Sequence, residues 1–239
     1  MTTPRPKRFY THVTIEPRPE GFAILLDGKA IRTPGGTTLL LPARNLAEAI
    51  AQEWQSQREH IDAQTMPILR LANTALERIP QTRASVIAQL LEYGRHDLLC
   101  YRADAPASLI MRQAEQWQPL LDWISATYRI RLQSTAGITP LEQSAQSIAA
   151  LETRVSALDD FALAGVSAAT ALTGSIVLAL ALHAGRLDGP TAFRLASLEE
   201  TFQAEHWGID READARLQRI AKELSHVTEF LCLVHERII

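Results

Sequence analysis

The chain has 239 residues, long enough to bury a sizeable core as one large domain or two small ones. Hydrophobic residues make up 46% and charged residues 21%, a balance that excludes an intrinsically disordered chain. The net charge is −3 and no long basic run occurs, so the sequence lacks the electrostatic signature of a nucleic-acid-binding protein.

Cysteine usage and the N-terminus indicate the compartment. Cys100 and Cys232 are far apart in the sequence, whereas a disulfide framework or a zinc site needs more cysteines at closer spacing. The first residues, MTTPRPKRFYTHV, contain no apolar stretch typical of a secretory signal. We therefore expect a cytoplasmic bacterial protein, or a mitochondrial matrix protein if the chain is a processed eukaryotic form.

The N-terminal part of the sequence predicts β-strands. Phe9 to Ile15 alternates in polarity and is the first predicted strand. Apolar runs flank Asp27-Gly28, a dipeptide that supplies the positive φ values of a two-residue hairpin turn. A second turn is predicted at Pro34 to Gly36 and a further strand at Thr37 to Leu41.

Helical periodicity begins after these strands. We predict a helix near Asn45 to Glu59, a break at Met66-Pro67 and a short helix from about Ile68 to Ile79. Pro80 interrupts the pattern, and we predict a domain boundary there, between residues 1–80 and 81–239. The later predicted helices are Thr82 to Tyr93, Pro106 to Tyr128, Pro140 to Ala157, Phe161 to Gly185, Pro190 to His206 and Asp210 to Val234. The expected fold class is α+β, with a small antiparallel β-rich N-terminal unit and a larger all-helical C-terminal domain.

The run from Phe161 to Gly185 contains no Asp, Glu, Lys or Arg and is long enough to span a bilayer, which takes about 20 residues. It is, however, rich in Gly, Ala, Ser and Thr, and Gly174 splits it into two helices that are too short to span. Small residues let helices approach closely, so we predict a buried helix pair without membrane insertion.

No established catalytic motif occurs in the sequence. Nucleophile-elbow, phosphate-loop, dinucleotide-loop and zinc-helix patterns are all missing. Glu223-x-x-His226 is a single pair, whereas a di-iron bundle needs two such pairs and two further glutamates, so a solvated helix face is favoured. We predict no catalytic residues, no cofactor and no metal site.

Two polar features remain. Asp97 directly precedes an apolar strip, where an N-cap or an ion pair with Arg95 or Arg102 accounts for it, with a functional role as the alternative. Residues 199–214, EETFQAEHWGIDREAD, hold six carboxylates; we call them the acidic corner.

In the acidic corner Gly208 can end one helix in a left-handed conformation, and Asp210 can cap the next. Trp207 could accordingly have a purely structural role, by packing against this turn. Phe202 and Trp207 could also serve as aromatic anchors inside a polar rim, a composition that is common at protein interfaces.

Several segments carry a resemblance to a known family. LLDGKAIRTP, EAIAQEW, IDAQTMPILRLANTALERI, RHDLLCYRA and EETFQAEHWG resemble the ATP synthase assembly chaperones of mitochondria and alphaproteobacteria. This resemblance implies a protein that holds the unassembled α subunit of the F-type ATP synthase until β joins. We expect it to act as a monomer and without ATP. The Glu of the family's E-x-W-G element is associated with chaperone function, and Glu205 matches it. The expected partner-binding residues are Glu205, Trp207, Phe202, Asp210, Glu199 and Asp97.

The sequence leaves two other functions open. An enzyme could place Asp97, Glu205 and His206 in a cleft between the two domains as acid–base groups. A peripheral membrane protein could use the apolar run from Phe161 to Gly185.

Overall fold

The computed structural model describes residues 5–137, 141–208 and 210–235. In these residues an antiparallel sheet is followed by a mostly helical region, which confirms the predicted α+β class. Pro140, the predicted start of one helix, lies outside the described residues.

The N-terminal sheet is built around β2 (Gly21–Leu26). β1 (Val13–Arg18) pairs antiparallel with one side of β2, and the two-residue strands β3 (Lys29–Ala30) and β4 (Leu40–Leu41) pair with it on the other side. Successive side chains of a strand point to opposite faces, and the buried residues of β2 include Ile24 and Leu26. One face of the sheet therefore joins the hydrophobic core.

The hairpin predicted at Asp27-Gly28 is confirmed, because these residues have φ values of 47° and 79° between β2 and β3. The first strand begins at Val13, later than the predicted Phe9. The preceding segment bonds elsewhere: the Tyr10 hydroxyl donates to the Trp54 carbonyl oxygen at 2.6 Å. This contact ties Tyr10 to the end of the first helix, while the backbone N–H of His12 donates to the Asp27 carboxylate at 2.8 Å and keeps the end of the segment beside the sheet.

The described residues form ten α-helices. They are α1 (Arg44–Gln55), α2 (Pro67–Asn73), α3 (Ile79–Arg95), α4 (Ala107–Tyr128), α5 (Ala145–Ser156), α6 (Asp160–Thr173), α7 (Ile176–His183), α8 (Gly189–Ala196), α9 (Leu198–Trp207) and α10 (Arg211–His235). The helical region also contains one small parallel pair, β5 (Tyr101–Arg102) with β6 (Thr135–Ala136).

The helix break predicted at Pro80 is wrong, because the helical backbone continues through this residue. A π-helical turn (Thr74–Arg78) joins α2 directly to α3, in whose first turn Pro80 lies. The backbone N–H of Ile79 donates to the Thr74 carbonyl oxygen, the wider i to i+5 pattern of a π turn. Pro80 cannot donate an N–H, and in a regular α-helix its ring would clash with the carbonyl group four residues earlier; the wider π turn directly before it accommodates the proline. The division at residue 80 into two domains stays a prediction.

The helices α6 and α7 lie at the centre of the helical region. Every residue of α7 is buried, and α6 packs closely against α10. A Cβ at Gly165 would lie 2.5 Å from Leu231 Cδ2, so a small residue is required where α6 meets α10. Gly174 has φ 69° and separates α6 from α7, which confirms the predicted split of the apolar run. Within the described residues, no helix combines the length and the apolar character that a membrane crossing requires.

A half-buried carboxylate connects α1 to α2. Glu53 accepts hydrogen bonds from the backbone N–H groups of Ile68 (2.7 Å) and Leu69 (2.8 Å) in the first turn of α2. Desolvation by burial raises the pKa of Glu53 to about 7, although these two hydrogen bonds oppose the shift.

The raised pKa predicts how stability depends on pH. Between pH 4.5 and 7 folded Glu53 holds a proton that the unfolded chain has released, so the free energy of unfolding should fall as pH rises. Urea unfolding of the wild type and Glu53→Gln at several pH values tests this. We expect the wild type to lose stability relative to the variant across this interval. A difference that is independent of pH would contradict the expectation.

Candidate functional site

The acidic corner is formed by α9, the start of α10 and the turn between them. Gly208 ends α9 with φ 91° and ψ 168°, a conformation open to glycine although it differs from the predicted left-handed one. The Asp210 carboxylate accepts from the backbone N–H of Glu212 at 2.8 Å and caps α10, as predicted. The single helix predicted from Pro190 to His206 is instead the pair α8 and α9, because Ser197 leaves the helical conformation with φ −101° and ψ 19°.

One side of α9 is fixed to α4. Arg112 Nη1 lies 2.8 Å and 3.1 Å from the two carboxylate oxygens of Glu205. The Arg112 guanidinium carbon lies 5.2 Å from the centre of the Phe202 ring, a cation–π contact. Gln113 Nε2 donates to Glu199 Oε1 at 2.5 Å. Three of the predicted site residues therefore hold α9 against α4.

The Gln113 side chain is completely buried, and its orientation is fixed from both ends. Its Oε1 accepts from the backbone N–H of Ala103 at 2.9 Å, which leaves the amide nitrogen to donate to Glu199. Burial raises the pKa of Glu199, and the neighbouring Glu200 acts in the same direction, while the Gln113 hydrogen bond lowers it. Glu199 is thus partly withdrawn from solvent.

The end of α9 presents an apolar surface to solvent. Trp207 is 77% exposed, the highest value among the large hydrophobic side chains of the described residues. Next to Arg112 on α4, Ile110 and Met111 are exposed as well. Exposed aromatic and apolar side chains beside carboxylates match the make-up of protein interfaces.

The structure buries Asp97 in the core, whereas the carboxylates of the acidic corner are partly or fully exposed. Its carboxylate is completely buried and accepts hydrogen bonds from the Leu99 N–H (3.0 Å), the Ser175 hydroxyl (2.8 Å) and the Val177 N–H (3.1 Å). Burial raises the pKa of Asp97 to about 6, although these bonds oppose the shift. Asp97 caps the short 3₁₀ turn that follows it, as the N-cap explanation predicted, and also binds the start of α7.

The three residues considered for an enzyme do not share a cleft in the described structure. Asp97 is buried at the start of α7, whereas Glu205 pairs with Arg112 at the surface. The His206 ring stacks on Phe202 with a centroid distance of 4.1 Å, and its Nδ1 lies 2.8 Å from the Phe202 carbonyl oxygen. Both His206 contacts are made within α9.

Sequence reasoning missed the α4 residues that fix α9. Arg112 and Gln113 lie in a predicted helix with no feature to mark them, and Arg112 is 93 positions away from Glu205. Only a signal that pairs distant positions could have found this contact. The missed residues change the interpretation of Glu205 from an exposed charge to a charge with a partner on α4.

The described residues include no group of three or more His, Cys, Asp or Glu side chains placed to hold a metal ion. Of the pair Glu223-x-x-His226 on α10, Glu223 is exposed as expected for a solvated helix face, whereas His226 is partly buried. The site is therefore defined by an exposed apolar surface and by charges that pair between helices. Exposed aromatic and apolar side chains of this kind are common at protein–protein interfaces.

Comparison with known proteins gives the family. The family model described as ATP12 chaperone protein matches residues 7–125. The crystal structure of Atp12 from Paracoccus denitrificans is 42% identical, covers 95% of this chain and 98% of that chain, and superposes with a TM-score of 0.92. The chain belongs to the ATP12 chaperone family, which is non-enzymatic and is involved in ATP synthase assembly.

Two further relatives span bacteria and mitochondria. The crystal structure of a protein from Agrobacterium tumefaciens, described as a chaperone, is 39% identical over 96% of this chain and 88% of that one, with a TM-score of 0.87. Protein atp12, mitochondrial, of Schizosaccharomyces pombe is 25% identical over 230 residues, which is 89% of this chain and 77% of that protein.

Proposed function

We propose that this protein binds the unassembled α subunit of the F-type ATP synthase and prevents its aggregation until β joins. An unassembled subunit exposes apolar surface that is meant for its neighbour, and such surface drives aggregation. A chaperone for it needs a binding surface whose affinity is low enough for the true neighbour to displace it.

The observation that carries this proposal is the exposed surface of the acidic corner. Trp207 is 77% exposed at the end of α9, beside the capped start of α10. A tryptophan exposed to this degree is unfavourable in water, and aromatic residues of this kind often dominate the energy of protein interfaces. Membership of the ATP12 chaperone family directs the proposal to ATP synthase subunits.

The proposed roles of the six predicted residues differ. Trp207 and Asp210 lie on the exposed part of the corner, where they can meet the client. The remaining residues act through α9 or the core. These are Glu199, Phe202 and Glu205, which hold α9 on α4, and Asp97, which supports the start of α7.

The proposal also covers the oligomeric state of the protein, its independence of ATP and its location. We propose that the protein works as a monomer and without ATP hydrolysis, because shielding a surface requires neither a second copy nor a chemical step. We place it in the bacterial cytoplasm, or in the mitochondrial matrix for a processed eukaryotic form.

Co-expression tests the proposal. A bacterial ATP synthase α subunit is produced with this protein, with an empty vector, or with an unrelated soluble protein, and the soluble fraction is analysed by size-exclusion chromatography. We expect soluble α only with this protein, in a one-to-one peak that is lost when β is added. Equal aggregation of α in all three cultures would reject the proposed client.

A further inference from the structure

An open groove runs between α9 and α10. Two adjoining cavities of about 420 Å³ and 400 Å³ share Glu200, Gln203 and Leu217 in their linings, so they form one continuous depression. It extends from Leu98 at one end to Trp207 at the other. We call it the α9–α10 groove.

The floor of the α9–α10 groove is apolar and accessible to solvent. Its larger apolar side chains are neither fully buried nor fully exposed, and they are Leu98, Leu172, Phe193, Leu217 and Ile220. The first buried side chain of α10 is Leu224, so the preceding turns of this helix extend beyond the core. An apolar floor between two helices is unfavourable in water unless another element covers it.

The rim of the α9–α10 groove is acidic. Glu200, Asp210 and Asp214 line it, and Arg216 is the one cation among the described residues of its lining. Arg216 Nη2 lies 3.4 Å from Glu200 Oε1, so its charge is balanced locally. The carboxylates of Asp210 and Asp214 give the Trp207 end a negative potential, which favours a positively charged occupant.

We infer that the α9–α10 groove receives a basic amphipathic helix of the client subunit, an inference that rests on the proposed function. Both walls are helices and neither offers a sheet edge, so a third helix can cover the floor by side-chain packing. The apolar stripe of this helix lies on Leu217 and Ile220. Lysine or arginine side chains beside the stripe pair with Asp210 and Asp214.

Two charge reversals on α10 form a matched pair. Asp214 lines the groove, whereas Glu212 is exposed and lies outside the lining. Both residues lie in the first turn of α10, so reversing either charge has a similar effect on the interaction with the helix dipole. We expect Asp214→Lys to lower the yield of soluble client about tenfold, since it removes one attraction and adds a repulsion, and Glu212→Lys to keep the wild-type yield. Thermal melts followed by circular dichroism check that both variants fold.

A photo-crosslink identifies the occupant. Gln203 belongs to both cavities, so p-benzoylphenylalanine at this position reports on the middle of the groove in the purified one-to-one complex. We expect a crosslink to a client helix with lysine or arginine beside an apolar stripe. A crosslink to an acidic or extended client segment, or no crosslink to the client, would overturn the inference.

The two proposals fail in different ways. If wild-type protein does not keep the α subunit soluble, the proposed function itself is wrong. If wild type, Asp214→Lys and Glu212→Lys all keep it equally soluble, the function stands and the groove is not the docking site.

Discussion

Reversing the charge of Glu205 is expected to abolish client solubility while leaving the protein folded. Glu205 and Arg112 are each partly exposed, so their ion pair should contribute about 1 kcal/mol or less to the free energy of unfolding. The buried side chains of α9 are limited to Leu198 and Phe202, so its position depends strongly on the contacts with α4. Glu205→Lys would place two cations together and move α9 away from α4.

A charge swap separates the two ways in which Glu205 could act. If Glu205 positions α9, then Arg112→Glu should fail like Glu205→Lys, and the double variant Arg112→Glu/Glu205→Arg should restore soluble client. Each single variant should lower the yield of soluble client about tenfold or more, because either change places like charges between α9 and α4. Soluble α in the co-expression assay is the measurement.

Failure of the double variant, with both single variants folded, would show that Glu205 itself contacts the client. Unfolding of Glu205→Lys, seen by circular dichroism, would instead show that Glu205 is required for the stability of the fold. In either case the positioning role would be rejected.

The largest effect on stability is expected for Asp97→Ala. This change removes the acceptor of three buried donors, on Leu99, Ser175 and Val177, and no solvent can replace it. Leaving buried donors without partners should lower the free energy of unfolding by about 3 kcal/mol. Urea denaturation at pH 7, where a carboxyl group with a pKa of about 6 is mostly ionised, is the measurement.

A matched control is Asp188→Ala. Asp188 also accepts a backbone hydrogen bond as an N-cap, from Thr191 at 2.8 Å, but it is exposed, so water can replace the lost acceptor. We expect the control to lower the free energy of unfolding much less than Asp97→Ala does, because water reaches the donor that Asp188 leaves free. Equal losses for the two variants would contradict the role assigned to burial at Asp97. A folded Asp97→Ala protein that no longer holds the client would instead indicate direct participation in binding.

Local chemistry in the sequence predicted the turns and the caps. Asp27-Gly28 forms its hairpin because Gly favours positive φ and Asp tolerates it, and Gly174 separates two helices for the same reason. Asp210 caps α10 because its side chain reaches the first free N–H groups of that helix. Each of these features depends on residues that are neighbours along the chain.

The sequence did not reveal contacts between distant segments. The carboxylate of Asp97 binds Ser175, 78 positions later, and its burial depends on how α7 packs. The α9–α10 groove was missed for the same reason, since Leu217 and Leu172 follow ordinary helical spacing and meet only in the fold. Pro80 failed as a helix boundary because a π turn precedes the helix that contains it.

Backbone hydrogen exchange of the free protein and of its one-to-one complex with the α subunit tests the central claim most directly. Mass spectrometry of both samples would locate the segments in which the client slows exchange. The account predicts slower exchange in residues 198–223, which form α9 and the part of α10 that extends beyond the core, with little change across residues 13–41 of the sheet. Slower exchange confined to the sheet, with residues 198–223 unchanged, would contradict it.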